Sequence, residues 1–142
     1  MDKPIAGYGW FIKRIDNALE KEANQNLQAL NLTMQQNRVL ILLAHAPAQT
    51  LSLKALEEHF GAAQSTVAGL VSRLEKKGLI EALNDPADRR VKLARLTGEG
   101  VKLHAQSRQM VVDSEERLTA LLSAEEKETL LTCLKKVYEA VK

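Results

Sequence analysis

The sequence predicts a mainly α-helical fold interrupted by one small β-hairpin. Three observations predict it. Apolar residues recur at three- and four-residue spacing along most of the chain. Two hydroxyl-led capping boxes, Thr33-Met34-Gln35-Gln36 and Ser123-Ala124-Glu125-Glu126, mark helix starts. One central stretch changes to short apolar runs flanking a polar turn cluster. Aromatic residues make up only 4% of the chain, so the core must be built from Leu, Val, Ile and Ala, which suits packed helices.

The elements follow in order. Tyr8, Phe11, Ile12, Ile15, Leu19, Ala23, Leu27 and Leu30 lie at helical spacing and mark a long first helix. Thr33 opens a second, carrying Val39, Leu40, Leu42 and Leu43 inward. Ala46-Pro47-Ala48 ends it, because proline disfavours the helical region for its predecessor. Ser52 caps a short third helix, Leu53 to Phe60, expected to bury Leu53, Leu56 and Phe60, and Gly61 makes the turn. A fourth helix spans Gln64 to Lys77 with Val67, Leu70, Val71 and Leu74 inward, and Gly78 terminates it.

Leu79 to Leu83 and Val91 to Leu96 then read as strands around Asn84-Asp85-Pro86-Ala87-Asp88-Arg89-Arg90. A lone hairpin is marginal in water, so this one must lean on the preceding helices. Thr97 caps a fifth helix expected to reach Leu122, and Ser123 opens a sixth with Leu130, Leu131, Leu134, Val137, Tyr138 and Val141. Helix, turn, helix, hairpin is the order of a winged helix-turn-helix. The expected fold is therefore mainly α with a small β-hairpin wing, flanked by helices at both ends of the chain.

The chain of 142 residues carries 45% hydrophobic and 27% charged residues and a formal net charge of +2. That charge is too small to imply a polyanionic partner. Its distribution says more: Arg73, Lys76, Lys77, Arg89, Arg90, Lys92 and Arg95 face only Glu75, Glu81, Asp85 and Asp88, whereas Asp113, Glu115, Glu116, Glu125, Glu126 and Glu128 face only Arg117 and Lys127. A single cysteine, Cys133, permits no internal disulfide and fits a reducing compartment. Met1-Asp2-Lys3-Pro4 has no leader character, and the longest apolar run, Val39 to Ala44, is far below a membrane span. A cytoplasmic location with no membrane partner is expected.

The second helix of such a motif fits the ~12 Å major groove of DNA, and the hairpin tip falls over the adjacent backbone and minor groove. Candidate contacts on the exposed side of the fourth helix are Gln64, Ser65, Thr66, Ser72, Arg73 and Lys76. On the wing they are Asp88, Arg89, Arg90 and Lys92. An arginine at a loop tip suits the enhanced negative potential of a narrow minor groove, and Asp88 can hold it in place. The plainer readings are a solvated cationic helix face for Arg73, Lys76 and Lys77, and a surface ion pair of little worth for the tip. Cys133, among Leu130, Leu131 and Leu134, reads as a small buried hydrophobe in preference to a redox switch. His45, His59 and His104 have no metal-ligand spacing, so neither a metal nor a cofactor is expected.

Four segments carry a specific resemblance. Leu32-Thr33-Met34-Gln35-Gln36, Leu74-Glu75-Lys76-Lys77-Gly78-Leu79-Ile80, Asp85-Pro86-Ala87-Asp88-Arg89-Arg90 and Leu96-Thr97-Gly98-Glu99-Gly100 resemble, in order and spacing, motifs of the MarR/SlyA family of transcriptional regulators. The resemblance covers nearly the whole chain. It implies one domain over residues 1–142, with a DNA-binding lobe at 33–96 and dimerisation helices at 5–30 and 97–142. It also implies a homodimer that presents two recognition helices and two wings to a palindromic operator in double-stranded DNA. The terminal helices agree, since they carry more apolar residues than a small monomer could cover, and two-fold symmetry sets the half-sites about one DNA turn apart. Family members that sense oxidants place a cysteine near the N-terminus, where this chain has none.

Two positions depart from the family. Ala63 stands where a capping side chain is usual, and Ala68-Gly69 replaces a polar pair. Gly69 inside a helix costs about 1 kcal/mol relative to alanine, and it is expected to permit close approach to the DNA backbone or a thymine methyl. The resemblance further implies an aromatic effector, phenolic or related, bound near the dimerisation helices. Tyr8, Trp10 and Phe11 are candidates for such a site or for packing in the dimer core, and His45 borders a potential cleft.

The function expected is a DNA-binding transcriptional regulator, a repressor relieved by a small molecule. The alternative is a winged helix used as a protein-interaction module. An enzyme is not expected: the sequence contains no phosphate-binding glycine loop, nucleophile elbow, HExxH or acid–base set. Operator sequence, regulated genes and effector identity are not encoded in any motif.

Overall fold

The computed structural model describes residues 6–142. Met1–Pro4 and residue 5, where the first dimerisation segment is expected to open, lie outside the described residues. The chain separates into two compact units, Met1–Met110 and Val111–Lys142. The helices are α1 (Tyr8–Ala29), α2 (Met34–His45), α3 (Leu53–Phe60), α4 (Gln64–Lys76), α5 (Gly98–Leu118) and α6 (Ala124–Val141), and the strands are β1 (Thr50–Ser52), β2 (Ile80–Asn84) and β3 (Lys92–Leu96).

Both capping boxes form. The Gln36 amide N–H donates to Thr33 Oγ1 at 3.1 Å while Gln36 Oε1 accepts from Thr33 N at 3.2 Å. Ser123 and Glu126 repeat the exchange at 3.1 and 3.0 Å. Ser52 Oγ accepts from Ala55 N at 3.0 Å to start α3. Helices α1 and α4 end alike. A residue with positive φ (Asn31 at 55°, Gly78 at 76°) is followed by a leucine whose N–H returns to the helix, Leu32 to Leu27 at 2.9 Å and Leu79 to Leu74 at 3.1 Å.

The hairpin is not alone. Strand β1 joins it to make an antiparallel sheet of order β1-β3-β2, with Thr50↔Arg95 and Ser52↔Leu93 on one side of β3 and Ile80↔Leu96 and Asn84↔Lys92 on the other. The third strand supplies the support that the sequence assigned to the helices alone. It follows a tight turn, Pro47–Gln49, in which Ala48 and Gln49 take φ of 52° and 54°.

The core of the first unit gathers Val39, Leu40 and Leu43 of α2, Leu56 of α3, Val67, Leu70, Val71 and Leu74 of α4, and Ile80, Ala94 and Leu96 of the sheet. Each such Leu or Ile stabilises the unit by about 1.5–3 kcal/mol through apolar burial. Of the three α3 residues expected inside, only Leu56 is fully buried. Leu53 and Phe60 lie at the core edge, half-buried, and the Arg38 guanidinium stacks 4.7 Å over the Phe60 ring.

Helix α5 stops at Leu118 rather than Leu122. Thr119 Oγ1 donates to the Glu115 carbonyl, and the i→i+3 bond from Leu122 N to Thr119 O tightens the chain into a turn before the Ser123 cap. Helix α6 buries none of its residues, and Leu130, Leu131, Leu134, Val137, Tyr138 and Val141 all stand exposed. Cys133 is exposed with them in the single chain, on the apolar side of a helix that buries none of its residues, so no burial of this cysteine is seen among the described residues.

Candidate nucleic-acid interface

The inward stripe Val67, Leu70, Val71 and Leu74 fixes the rotation of α4. Its other side is therefore turned out, and Gln64, Ser65, Thr66, Ser72, Arg73 and Lys76 are all exposed, with Gly69 half-buried between them. Ala63 occupies the N-cap and makes no side-chain capping bond, and Thr66 N and Val67 N both donate to its carbonyl, at 3.1 and 3.2 Å. A Cβ added at Gly69 would meet only Arg73 Nη1, at 3.7 Å, an ordinary contact. Space within the chain does not demand the glycine.

Polar side chains build the wing tip. Asp85 Oδ1 accepts from Ala87 N at 2.9 Å, and the Asp85 N–H donates to the Val91 carbonyl at 2.9 Å, closing the loop. Asp88 then holds Arg90 in a bidentate pair, Oδ1 to Nε at 3.1 Å and Oδ2 to Nη2 at 3.2 Å, and Oδ1 also accepts the Arg90 N–H at 3.1 Å. These bonds, the side-chain one foremost, hold the Asp88 carboxyl below the usual carboxylate range. The Arg90 side chain nevertheless remains 92% exposed. Arg89 and Lys92 are exposed beside it. Nearer the base of the hairpin, Arg95 pairs with Glu81 directly across the register, Nε to Oε1 at 2.7 Å.

Wing and helix are joined by the chain's own backbone. Glu75 Oε2, on α4, accepts from Ala82 N on β2 at 3.0 Å. At the foot of the hairpin, Thr97 Oγ1 donates to the Gly78 carbonyl at 2.6 Å and accepts from Gly100 N at 3.1 Å, while Thr97 N donates to the Leu79 carbonyl. One hydroxyl thus ties the end of α4 to the start of α5.

The candidate effector residues are distributed differently. On α1, Tyr8 is almost fully exposed, Trp10 and Phe11 meet edge-to-face at 5.0 Å, and the Arg14 guanidinium lies 5.0 Å over the Trp10 ring. His45 lines a shallow cavity of about 240 Å³ with Ile41, Leu42, Ala46, Pro47, Leu51 and His59, and none of the α1 aromatics reaches it. Its ring also meets His104 of α5 edge-on at 6.0 Å. Burial, then the neighbouring His45 and Arg108, depress the His104 pKa, and its Nδ1 is buried without a hydrogen-bond partner among the described residues. Composition and spacing could not reveal this pairing, because the two histidines lie on different helices far apart in the sequence. Lys77, which the sequence allows either a polyanion-facing or a solvated role beside Arg73 and Lys76, donates its ammonium to the Asn31 carbonyl and to Gln36 Oε1. Among the described residues no group of three or more His, Cys, Asp or Glu could hold a metal ion, and no helix is long and apolar enough to cross a membrane.

Comparison with known proteins places this arrangement. The sequence profile of the MarR family matches residues 32–92, from the α1–α2 corner to the first residue of β3. The multiple antibiotic resistance protein MarR of Escherichia coli K12 is 33% identical over 136 residues, covering 94% of this chain and 92% of its own length. The transcriptional regulator HosA of Escherichia coli O111:H- is 31% identical over 110 residues, covering 78% and 80%. Among solved structures, the S. aureus MepR–DNA complex superposes with a TM-score of 0.81 at 27% identity, covering 95% of this chain and 100% of that one. Apo MarR from E. coli does so with a TM-score of 0.73 at 30% identity, covering 95% and 98%. A winged helix-turn-helix fold, the family match over residues 32–92 and 33% identity to MarR over 94% of this chain make the chain a member of the MarR family.

Proposed function

We propose that this chain is a transcriptional regulator that binds double-stranded DNA, with α4 in the major groove and the wing over the adjacent minor groove. One observation carries the reading: the uncommitted polar face of α4 belongs to the same compact unit as a wing whose Arg90 is held in place by Asp88 yet almost wholly exposed. The residues assigned to the duplex are Gln64, Ser65, Thr66, Gly69, Ser72, Arg73 and Lys76 on the helix, and Asp88, Arg89, Arg90 and Lys92 on the wing. Similarity to MepR, whose structure was solved with DNA bound, supports it.

The acting species is a homodimer in the cytoplasm, reading a palindromic operator through residues 33–96 and associating through the segments 5–30 and 97–142. The exposed apolar residues of α1 and α6 support this assembly, because a soluble chain rarely leaves so large an apolar area uncovered. Repression follows from occupying a promoter. An aromatic effector, bound beside Tyr8, Trp10 and Phe11 of α1 or in the separate cavity that His45 lines, relieves it by preferring a dimer whose recognition helices are wrongly spaced.

Selecting bound fragments from a random duplex pool tests the reading. A two-fold symmetric consensus is expected, with affinity falling steeply between about 50 and 200 mM salt. Recovery of no duplex, or binding indifferent to salt, overturns it and favours a protein-interaction module.

A further inference from the structure

The two adjacent lysines at the end of α4 are not equivalent. Lys76 is exposed and has no polar partner among the described residues. Lys77, the C-cap, sends its ammonium away from the exposed face to the Asn31 carbonyl and, at 2.9 Å, to Gln36 Oε1. Both acceptors are special positions. Asn31 is the left-handed residue just past the end of α1, so its carbonyl lies at the negative end of that helix dipole. Gln36 is the capping-box glutamine of α2, only 5% exposed, and the same Oε1 already accepts from Thr33 N at 3.2 Å. One ammonium, with its three donors, thereby joins the ends of three helices.

We infer that Lys77 is a positioning residue: it fastens the C-terminal end of α4 to the α1–α2 corner and so sets how the exposed α4 face is presented. The inference rests on the duplex-binding reading above. The other end of α4 has no side-chain cap at Ala63, which leaves the helix orientation to its packing and to this anchor. Glu75 adds a second tie, to Ala82 of the wing. The helix end is thus fastened on one side to the hairpin and on the other to α1 and α2. A lysine used this way is withdrawn from phosphate, whereas its neighbour Lys76 is free for it.

The salt dependence of binding separates the two roles. A phosphate contact contributes about 0.9 to the slope of log affinity against log salt, and its removal makes the slope shallower by that amount. A positioning residue changes affinity at every salt concentration and leaves the slope alone. The probe is a duplex recovered by the wild-type full chain from the random pool, titrated from about 50 to 200 mM salt. Lys77→Met, which keeps the stem and removes the donors, is expected to weaken binding roughly fivefold to tenfold with the wild-type slope. Lys77→Arg is expected to restore the affinity. Lys76→Ala is expected to flatten the slope.

A Lys77→Met slope shallower by about 0.9 per lysine would make Lys77 a phosphate contact and overturn the inference. So would unchanged affinity at unchanged helical circular dichroism, which would leave the anchor only structural. Should Lys77→Met not fold, Lys77→Gln keeps a donor without the charge and is read by the same slope criterion. If the wild-type chain itself shows no salt-dependent duplex binding, it is the proposed function that fails.

Discussion

Asp88 grips Arg90 with both carboxylate oxygens, at 3.1 and 3.2 Å, two residues apart at the tip of a hairpin. The pair is exposed, so it stabilises the fold little. What it does is restrict a long cationic side chain before any partner arrives, lowering the ordering cost of binding. Arg90→Ala is therefore expected to weaken duplex binding by about 1–3 kcal/mol and to reduce the salt slope by about 0.9 per arginine, with the dimer intact by sedimentation. Asp88→Asn is expected to weaken binding less and leave the slope nearly unchanged, since the cation remains. Because Arg90 depresses the Asp88 pKa, the grip is fully present above the ordinary carboxylate range and is lost only as pH falls through the lowered value. Fluorescence anisotropy on a selected duplex reads all three.

Gly69 lies inside α4, where an added Cβ would make one ordinary contact, 3.7 Å from Arg73 Nη1. Gly69→Ala should then raise stability by up to about 1 kcal/mol in thermal or urea unfolding. If the glycine is there for close approach to DNA, the same variant binds the selected duplex less tightly, and Gly69→Arg changes both affinity and preferred sequence. A Gly69→Arg variant with unaltered affinity and preference would refute that role.

Gly100 behaves oppositely. A Cβ there would run into the Leu79 carbonyl oxygen, which already accepts from Thr97 N, and would press on Leu96 Cδ2 at 3.0 Å. Backbone cannot move aside as a flexible side chain can. Gly100→Ala is expected to destabilise the fold by about 1–3 kcal/mol, measured by denaturant unfolding.

His104 has a pKa lowered first by burial and then by His45 and Arg108. A depressed histidine leaves the folded state full stability above the unfolded pKa of about 6.5, and stability is lost as pH falls from there toward the folded value. The melting temperature should therefore decline on acidification below about pH 6.5. His104→Gln should flatten that decline, and His45→Gln should reduce it. The effect is small because His104 is only partly buried. An equal decline in wild type and His104→Gln would assign it to other groups.

Leu134 stands exposed on α6 in a helix with no buried residue. Leu134→Glu is expected to shift the protein from dimer to monomer in sedimentation while its helical circular dichroism persists. A wild-type chain that sediments as a monomer would remove the proposed assembly.

Local chemistry settled much of this molecule before any folding in space. Thr33, Ser52 and Ser123 announced helix starts because a hydroxyl at those positions bonds its own near neighbours. Gly61 and Gly78 announced ends because few other residues take positive φ easily, and Asp85 to Arg90 announced a tip because its bonds all close within the loop. Most gaps in that reading have one cause, which is that the partner is distant in sequence. Strand β1 has three residues, too few for a period, and its turn uses Ala48 and Gln49, neither a usual turn former, so only pairing with β3 made it a strand. Tertiary contact alone separated Lys77 from Lys76, set His104 against His45, and showed that Gly100 is required for space beside Leu79. The exposure of Cys133 came from the same source: an amphipathic stripe states that a helix has an apolar side, and only the fold states whether anything lies against it.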